Sequence, residues 1–193
     1  MDLLNLKKND ILDLSKKEPG LNNIVLACGW DVAKKGLFSF GSADVDLDLS
    51  ALLLGDDYRI IGKEGIVYFN NQRAQGIYLH EDNRTGEGDG DDEKISITLS
   101  DLPANCKAIV FSINIYQAKV RKQDFSKVKN AYIRVLNADK GYSEMCRYNL
   151  SEDGKNATSL IFAQLEKVNN AWQFKAIGNL ENGDLNSIID KFK

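Results

Sequence analysis

At 193 residues the chain has the length of one ordinary domain, enough to bury a real core, and 43% hydrophobic with 27% charged residues excludes a disordered chain. The formal net charge is -3, its densest patch is acidic and no basic stripe answers it, which argues against a nucleic-acid partner. The opening MDLLNLKKNDILDL has no cationic head followed by an unbroken apolar core, and no apolar run approaches the ~18 residues that span a bilayer, so neither a secretory signal nor a membrane span is expected and the location reads as cytoplasmic.

Taken in order, Asn9 to Leu14 and Asn23 to Trp30 read as strands, separated by the turn signal Glu18, Pro19, Gly20. The second of them, NIVLACGW, is continuously apolar and belongs at a sheet centre. Cys28 and Cys146 lie in apolar or alternating stretches and read as small core residues. Three cysteines with no CxxC pair make neither a disulfide framework nor a zinc site. A Lys- and Gly-rich loop, Val32 to Ser42, follows.

Asp44 to Leu54, DVDLDLSALLL, alternates strictly. Val45, Leu47, Leu49, Ala51 and Leu53 share one face, and Asp44, Asp46, Asp48 and Ser50 share the other. Carboxylates about 6.6 to 7 Å apart on one face suit two neighbouring cations, or one reached from both sides. A water-facing edge strand would carry the same pattern.

Gly65 to Asn70 and Gly76 to His80 are further strands around a turn at Asn71, Gln72 and Arg73. Asn70 and Asn71 offer amide oxygens, either to a metal or to the turn itself. Glu81 to Glu93 then reads EDNRTGEGDGDDE, with seven carboxylates against the single base Arg84 and glycines at 86, 88 and 90. Neither helix nor strand favours this composition. Two carboxylates about 4 Å apart repel by roughly 4 kcal/mol at an effective dielectric near 20, so a positive group belongs among them. A hard divalent ion fits best, because calcium takes about 6 to 8 oxygen ligands and glycines let the backbone turn donors onto one point. The spacing is not that of an EF-hand, and the acids would repel a phosphate. A solvated acidic loop is the bland alternative. Against it, Tyr78 and Leu79 precede the run and the alternating KISITL, Lys94 to Leu99, follows it, so the charges are clamped between strands.

Lys107 to Gln117 is another alternating strand. Phe125 to Lys129 holds no more than one helical turn. Ala131 to Asn137 with Glu144 to Leu150, and Thr158 to Lys167 with Ala171 to Gly178, read as two hairpins, the second turning at Asn169 and Asn170. Asp184 caps a helix reaching Phe192. Ten or eleven short strands and one short C-terminal helix predict an all-β fold, a β-sandwich of two mainly antiparallel sheets forming a single domain over residues 1 to 193.

Catalysis is not expected. There is no GxSxG elbow, Cys/His motif or HExxH, and the acidic cluster is too dense and polar to keep one acid protonated for glycosidase chemistry. The one histidine, His80, reads as a bystander whose pKa the neighbouring acids would raise.

Six stretches in order, GWD (29 to 31), DVDLDLSALLLG (44 to 55), NN (70 and 71), HEDNRTGEGDGDDE (80 to 93), NAYIRVLN (130 to 137) and RYNLSED (147 to 153), closely resemble the TerD family of bacterial tellurium-resistance and stress-response proteins. The resemblance implies a cytoplasmic, calcium-binding, non-enzymatic β-sandwich that works with other Ter proteins, including an integral membrane member that would recruit it to the inner face of the membrane. The implied metal pattern falls on Asp46 and Asp48, on Asp82, Asp89, Asp91, Asp92 and Glu93, and more weakly on Asp31, with two Ca2+ ions expected. The chain departs from the family in the insert GLFSFGSA and at Val45, where an aromatic is common. On this reading the protein is a calcium-dependent adaptor. The alternative is a calcium-dependent membrane-surface module, reaching lipid through Leu37, Phe38 and Phe40, or a small-ligand-binding module.

Overall fold

The structure, a computed structural model, describes residues 4–32, 45–80, 90–150 and 154–193. The insert with Leu37, Phe38 and Phe40, Asp44, and the acidic run from Glu81 to Asp89 lie outside the described residues.

In chain order the elements are β1 (Asn5–Leu6), β2 (Ile11–Asp13), α1 (Leu14–Lys17), β3 (Asn23–Val32), β4 (Leu47–Leu54), β5 (Ile66–Val67), β6 (Arg73–Ala74), β7 (Ile77–Leu79), β8 (Glu93–Thr98), β9 (Ala108–Ile115), α2 (Ala118–Arg121), β10 (Val128–Asn137), β11 (Ser143–Asn149), β12 (Ser159–Val168), β13 (Ala171–Glu181) and α3 (Leu185–Ile189). They form a seven-stranded sheet, β1-β11-β10-β3-β8-β7-β6, and a six-stranded sheet, β2-β13-β12-β9-β4-β5. Among the described residues every strand pairing is antiparallel except β1 with β11. The expected all-β sandwich with a short C-terminal helix is therefore the observed fold.

The core follows from the alternation. Leu26, Ile95 and Ile133 of the first sheet join Leu49, Phe111 and Phe162 of the second in one buried apolar cluster. Each such side chain contributes about 1.5 to 3 kcal/mol by leaving water. A smaller cluster lies on the outer face of the second sheet, where Ile188 of α3 packs on Leu52, Leu54, Ala108, Val110 and Ile161. The helix is held by a capping box, Asp184 accepting from the Ser187 N–H at 3.0 Å and Ser187 Oγ accepting from the Asp184 N–H.

Local chemistry explains the departures from expectation. The strand expected over Asn9 to Leu14 is β2, which stops at Asp13 because that carboxylate accepts from the Lys16 N–H at 2.8 Å and starts α1 at Leu14. The strand expected over Gly65 to Asn70 shrinks to β5 behind a 3-10 turn at Lys63–Gly65, and Asn71 Nδ2 donates to the Ile66 carbonyl at 2.6 Å, a turn role. The four-residue helix α2 escapes periodicity, bracketed by Gln117 and Lys122, both at φ 52°. Most consequential is β4. It is no edge strand, since it pairs with both β9 and β5, and all eight of its residues are buried, the polar face included.

Candidate metal centre

The segment Gly90 to Glu93 emerges from the acidic run and is fastened residue by residue. Gly90 takes φ 125°, open to glycine, and its carbonyl accepts from Tyr132 Oη at 2.8 Å. A Cβ on Gly29 would stand 2.6 Å from Tyr132 Oη and 2.7 Å from the Gly90 carbonyl oxygen, so only glycine at 29 allows the two segments this close.

Asp91 turns to the outer face of the first sheet. Arg134 Nε and Nη2 donate to its two oxygens at 2.8 Å each, Tyr132 Oη shares its one proton between the Gly90 carbonyl and Asp91 Oδ1, 3.0 Å away, and Lys94 Nζ lies at 3.6 Å. Burial pushes the Asp91 carboxyl up, but the hydrogen bonds from Arg134 and Tyr132 and the charges of Arg134 and Lys94 outweigh it and hold the group below the usual carboxylate range. The hydrogen bond to Asp91 in turn raises Arg134, and Glu144 completes the network by accepting from Arg134 Nη1 at 2.7 Å and Arg147 Nε at 2.9 Å.

The next two acids are buried. Asp92, 8% exposed, accepts from the Trp30 N–H at 2.8 Å while its own N–H donates to the Cys28 carbonyl. Glu93, 3% exposed, crosses between the sheets and accepts from the Leu49 N–H of β4 at 2.7 Å. The two acidic stretches of the sequence thus meet at Glu93 and Leu49. Their field reaches Cys28, whose thiol is raised by burial first and then by Glu93, Asp92 and Asp91, so it stays protonated.

On the other stretch, Asp48 is 6% exposed and accepts from Asn114 Nδ2 at 3.3 Å. Asp46 lies just ahead of β4, its carboxylate 3.6 Å from Arg121 Nη1. Asp31 accepts from Asn130 Nδ2 at 2.6 Å and borders, with Gly90, Tyr132 and Arg134, a polar cleft of about 520 Å³. Asp82 and Asp89 lie outside the described residues. Among the described residues no three carboxylate, His or Cys groups close on one point.

The donor chemistry nonetheless suits a hard cation. Asp48, Asp92 and Glu93 present buried carboxylate oxygens, and buried carboxylates are held by ion pairs, hydrogen bonds or metals. His80 is a correction: burial, then Lys94 and Arg73, lower its pKa rather than raise it, and its Nε2 lies 2.7 Å from Ser96 Oγ. The residues the sequence did not single out are Arg134 and Tyr132. Their signal was a cation and a phenol on the outward face of an alternating strand, within the stretch NAYIRVLN.

A family model for the TerD domain matches residues 3–192. A tellurium resistance protein TerD from Alcaligenes sp is 37% identical over 191 residues, covering 98% of this chain and 96% of that protein. A stress response protein SCP2 from Bacillus subtilis (strain 168) is 36% identical, covering 98% of both. A solved homologue of telluride resistance protein (TerD) from Streptomyces coelicolor A3(2) superposes with a TM-score of 0.70 at 20% identity, covering 88% of this chain and 96% of its own, and speaks for the fold alone. By family model and by full-length relatives alike, the chain belongs to the TerD family.

Proposed function

We propose that this chain is a non-enzymatic, calcium-binding stress protein of the tellurium-resistance type, whose bound ions order the acidic segment into a surface that recruits other Ter proteins. The observation that carries the reading is the Glu93 to Leu49 hydrogen bond, which seats the end of the acidic run on the acidic strand. Asp46, Asp48, Asp92 and Glu93 would hold the metal together with Asp82 and Asp89. Asp91 is better suited to anchoring the segment on Arg134. The ion would supply positive charge between two stretches that otherwise repel. The chain's own residues supply position: backbone N–H groups fix Asp92 and Glu93, and Arg134 fixes Asp91.

Several relatives bear stress or resistance names, among them tellurium resistance proteins TerZ and TerX from Serratia marcescens, and such proteins are the partners proposed. Among the described residues no helix is long and apolar enough to cross a membrane, so a membrane role would run through a partner. A cytoplasmic location belongs to the same proposal.

The test is a thermal melt with calcium, with magnesium and with EDTA. Calcium at about 100 times its dissociation constant adds roughly 2.7 kcal/mol, worth about 5 to 10 °C in a domain of this size. Glu93→Gln keeps an acceptor for the Leu49 N–H but loses the charge, so its calcium-dependent shift should shrink while its melting point in EDTA holds. A wild-type melting point indifferent to EDTA overturns the metal reading. Equal capture of a Ter partner with calcium and with chelator overturns the adaptor reading.

A further inference from the structure

On the outer face of the six-stranded sheet, β4 and β9 lie side by side with Asp48 opposite Asn114 and Ser50 opposite Ser112. Alternation points these four away from the main core. All are nearly inaccessible, at 6% and 8% for the first pair and 0% for both serines. Asn114 Nδ2 is used on Asp48, yet Asn114 Oδ1 and Ser50 Oγ, both deeply buried, have no hydrogen-bond partner among the described residues, and Ser112 Oγ joins them. Unmet polar atoms of this kind cost about as much as a lost hydrogen bond, and several side by side in one sheet face call for an occupant.

There is room for one. Asp48, Ser50 and Asn114 line a cleft of about 1150 Å³, and Tyr68, Phe69 and Tyr116 form one of its walls. The three rings stand edge to face, with centroids 5.5 and 6.1 Å apart, and Phe69 is 41% exposed. This combination of deep acceptors beneath a partly open aromatic wall is how small-ligand sites are built.

The chemistry of the floor selects the ligand. Asn114 Oδ1 and the Asp48 carboxylate only accept, and Ser50 Oγ does so readily, so the ligand must donate; the carboxylate repels anions. Ammonium and guanidinium groups are pure donors of the right sign, and aromatic faces attract them. The same corner already treats one cation this way: the Arg121 guanidinium sits 5.1 Å from the Tyr116 ring centroid and 3.6 Å from Asp46.

We propose that this cleft binds a small organic cation, an alkyl amine or guanidine, with its charged head on Asn114 Oδ1, Ser50 Oγ and Asp48 and its hydrocarbon body along Tyr68, Phe69 and Tyr116. The site is distinct from the metal centre except for Asp48, which both use, so the test keeps the two apart. The full chain, 15N-labelled, is titrated with agmatine and with the neutral 1,5-pentanediol, in calcium and again in EDTA.

Saturable shifts at Ser50, Asn114, Tyr68 and Tyr116 are expected with agmatine and not with the diol. Asn114→Leu, which removes an acceptor from a charged donor, should weaken agmatine by about tenfold or more. Phe69→Ala, at an exposed position that does not threaten folding, should weaken it about threefold. Phe69→Ala, which touches none of the proposed metal ligands, should keep the wild-type calcium response in the melt. The proposal is overturned if agmatine gives no saturable shift, if the diol binds as well, or if both variants bind agmatine like wild type.

Discussion

Asp91 has a side chain only 3% exposed and both oxygens on one guanidinium, so its charge serves the fold of the acidic segment. The pH consequence has a definite sign. A carboxyl held below its ordinary value in the folded state contributes stability that is complete above that ordinary value, about 3.9, and is lost as pH falls through the lower folded one. Urea midpoints of wild type should therefore drop as pH falls below about 4, and Asp91→Asn, already without the charge, should drop less over the same range. Arg134→Met leaves the carboxylate buried with only Lys94 and Tyr132, and should cost on the order of 3 kcal/mol at pH 7 by urea denaturation. In the sequence these acids are a row of equivalent charges. What distinguishes Asp91 from Asp92 and Glu93 is the pairing of β10 with β3, which delivers Arg134 from 43 positions away, and no local pattern encodes that.

Among the elements, those whose partners are near in sequence were legible. The hairpin of β12 and β13 turns at Asn169 and Asn170, with φ 50° and 62°, the two successive left-handed residues that a tight hairpin requires and that asparagine tolerates. Asn170→Ala should therefore cost about 1 kcal/mol in denaturant midpoint, and Asn170→Gly should cost little or nothing. The faces of β4 were legible too, but their surroundings were not: alternation separates Asp48 and Ser50 from the leucines without telling water from a buried cleft. That information lies in α3 and in β5, which cover or flank the outer face from distant parts of the chain. The tie between β8 and β4 offers a test at the same scale. Glu93→Ala leaves the Leu49 N–H without its acceptor inside a buried strand and should lose about 1 to 3 kcal/mol, whereas Glu93→Gln should recover most of it.

At the scale of the whole molecule the question is whether two sheets melt as one body. The N-terminal segment crosses between them, β1 adding to the seven-stranded sheet beside β11 and β2 to the six-stranded sheet beside β13, with fully buried Leu14 directly after. Glu93 ties the sheets again at the far end of β8, and one apolar cluster draws on both. Such cross-connections make the main core common to both sheets, so unfolding should be a single transition. The two tryptophans provide the probes: Trp30 lies on β3 of one sheet and Trp172 on β13 of the other, both buried. In Trp172→Phe the fluorescence follows the first sheet, and in Trp30→Phe the second. Within each variant the fluorescence midpoint should coincide with the far-ultraviolet dichroism midpoint, in calcium and in EDTA alike. A separation of several degrees in either variant would mean that the sheet carrying the remaining tryptophan unfolds on its own, and that the ties through Glu93 and the N-terminal strands are too weak to couple the halves.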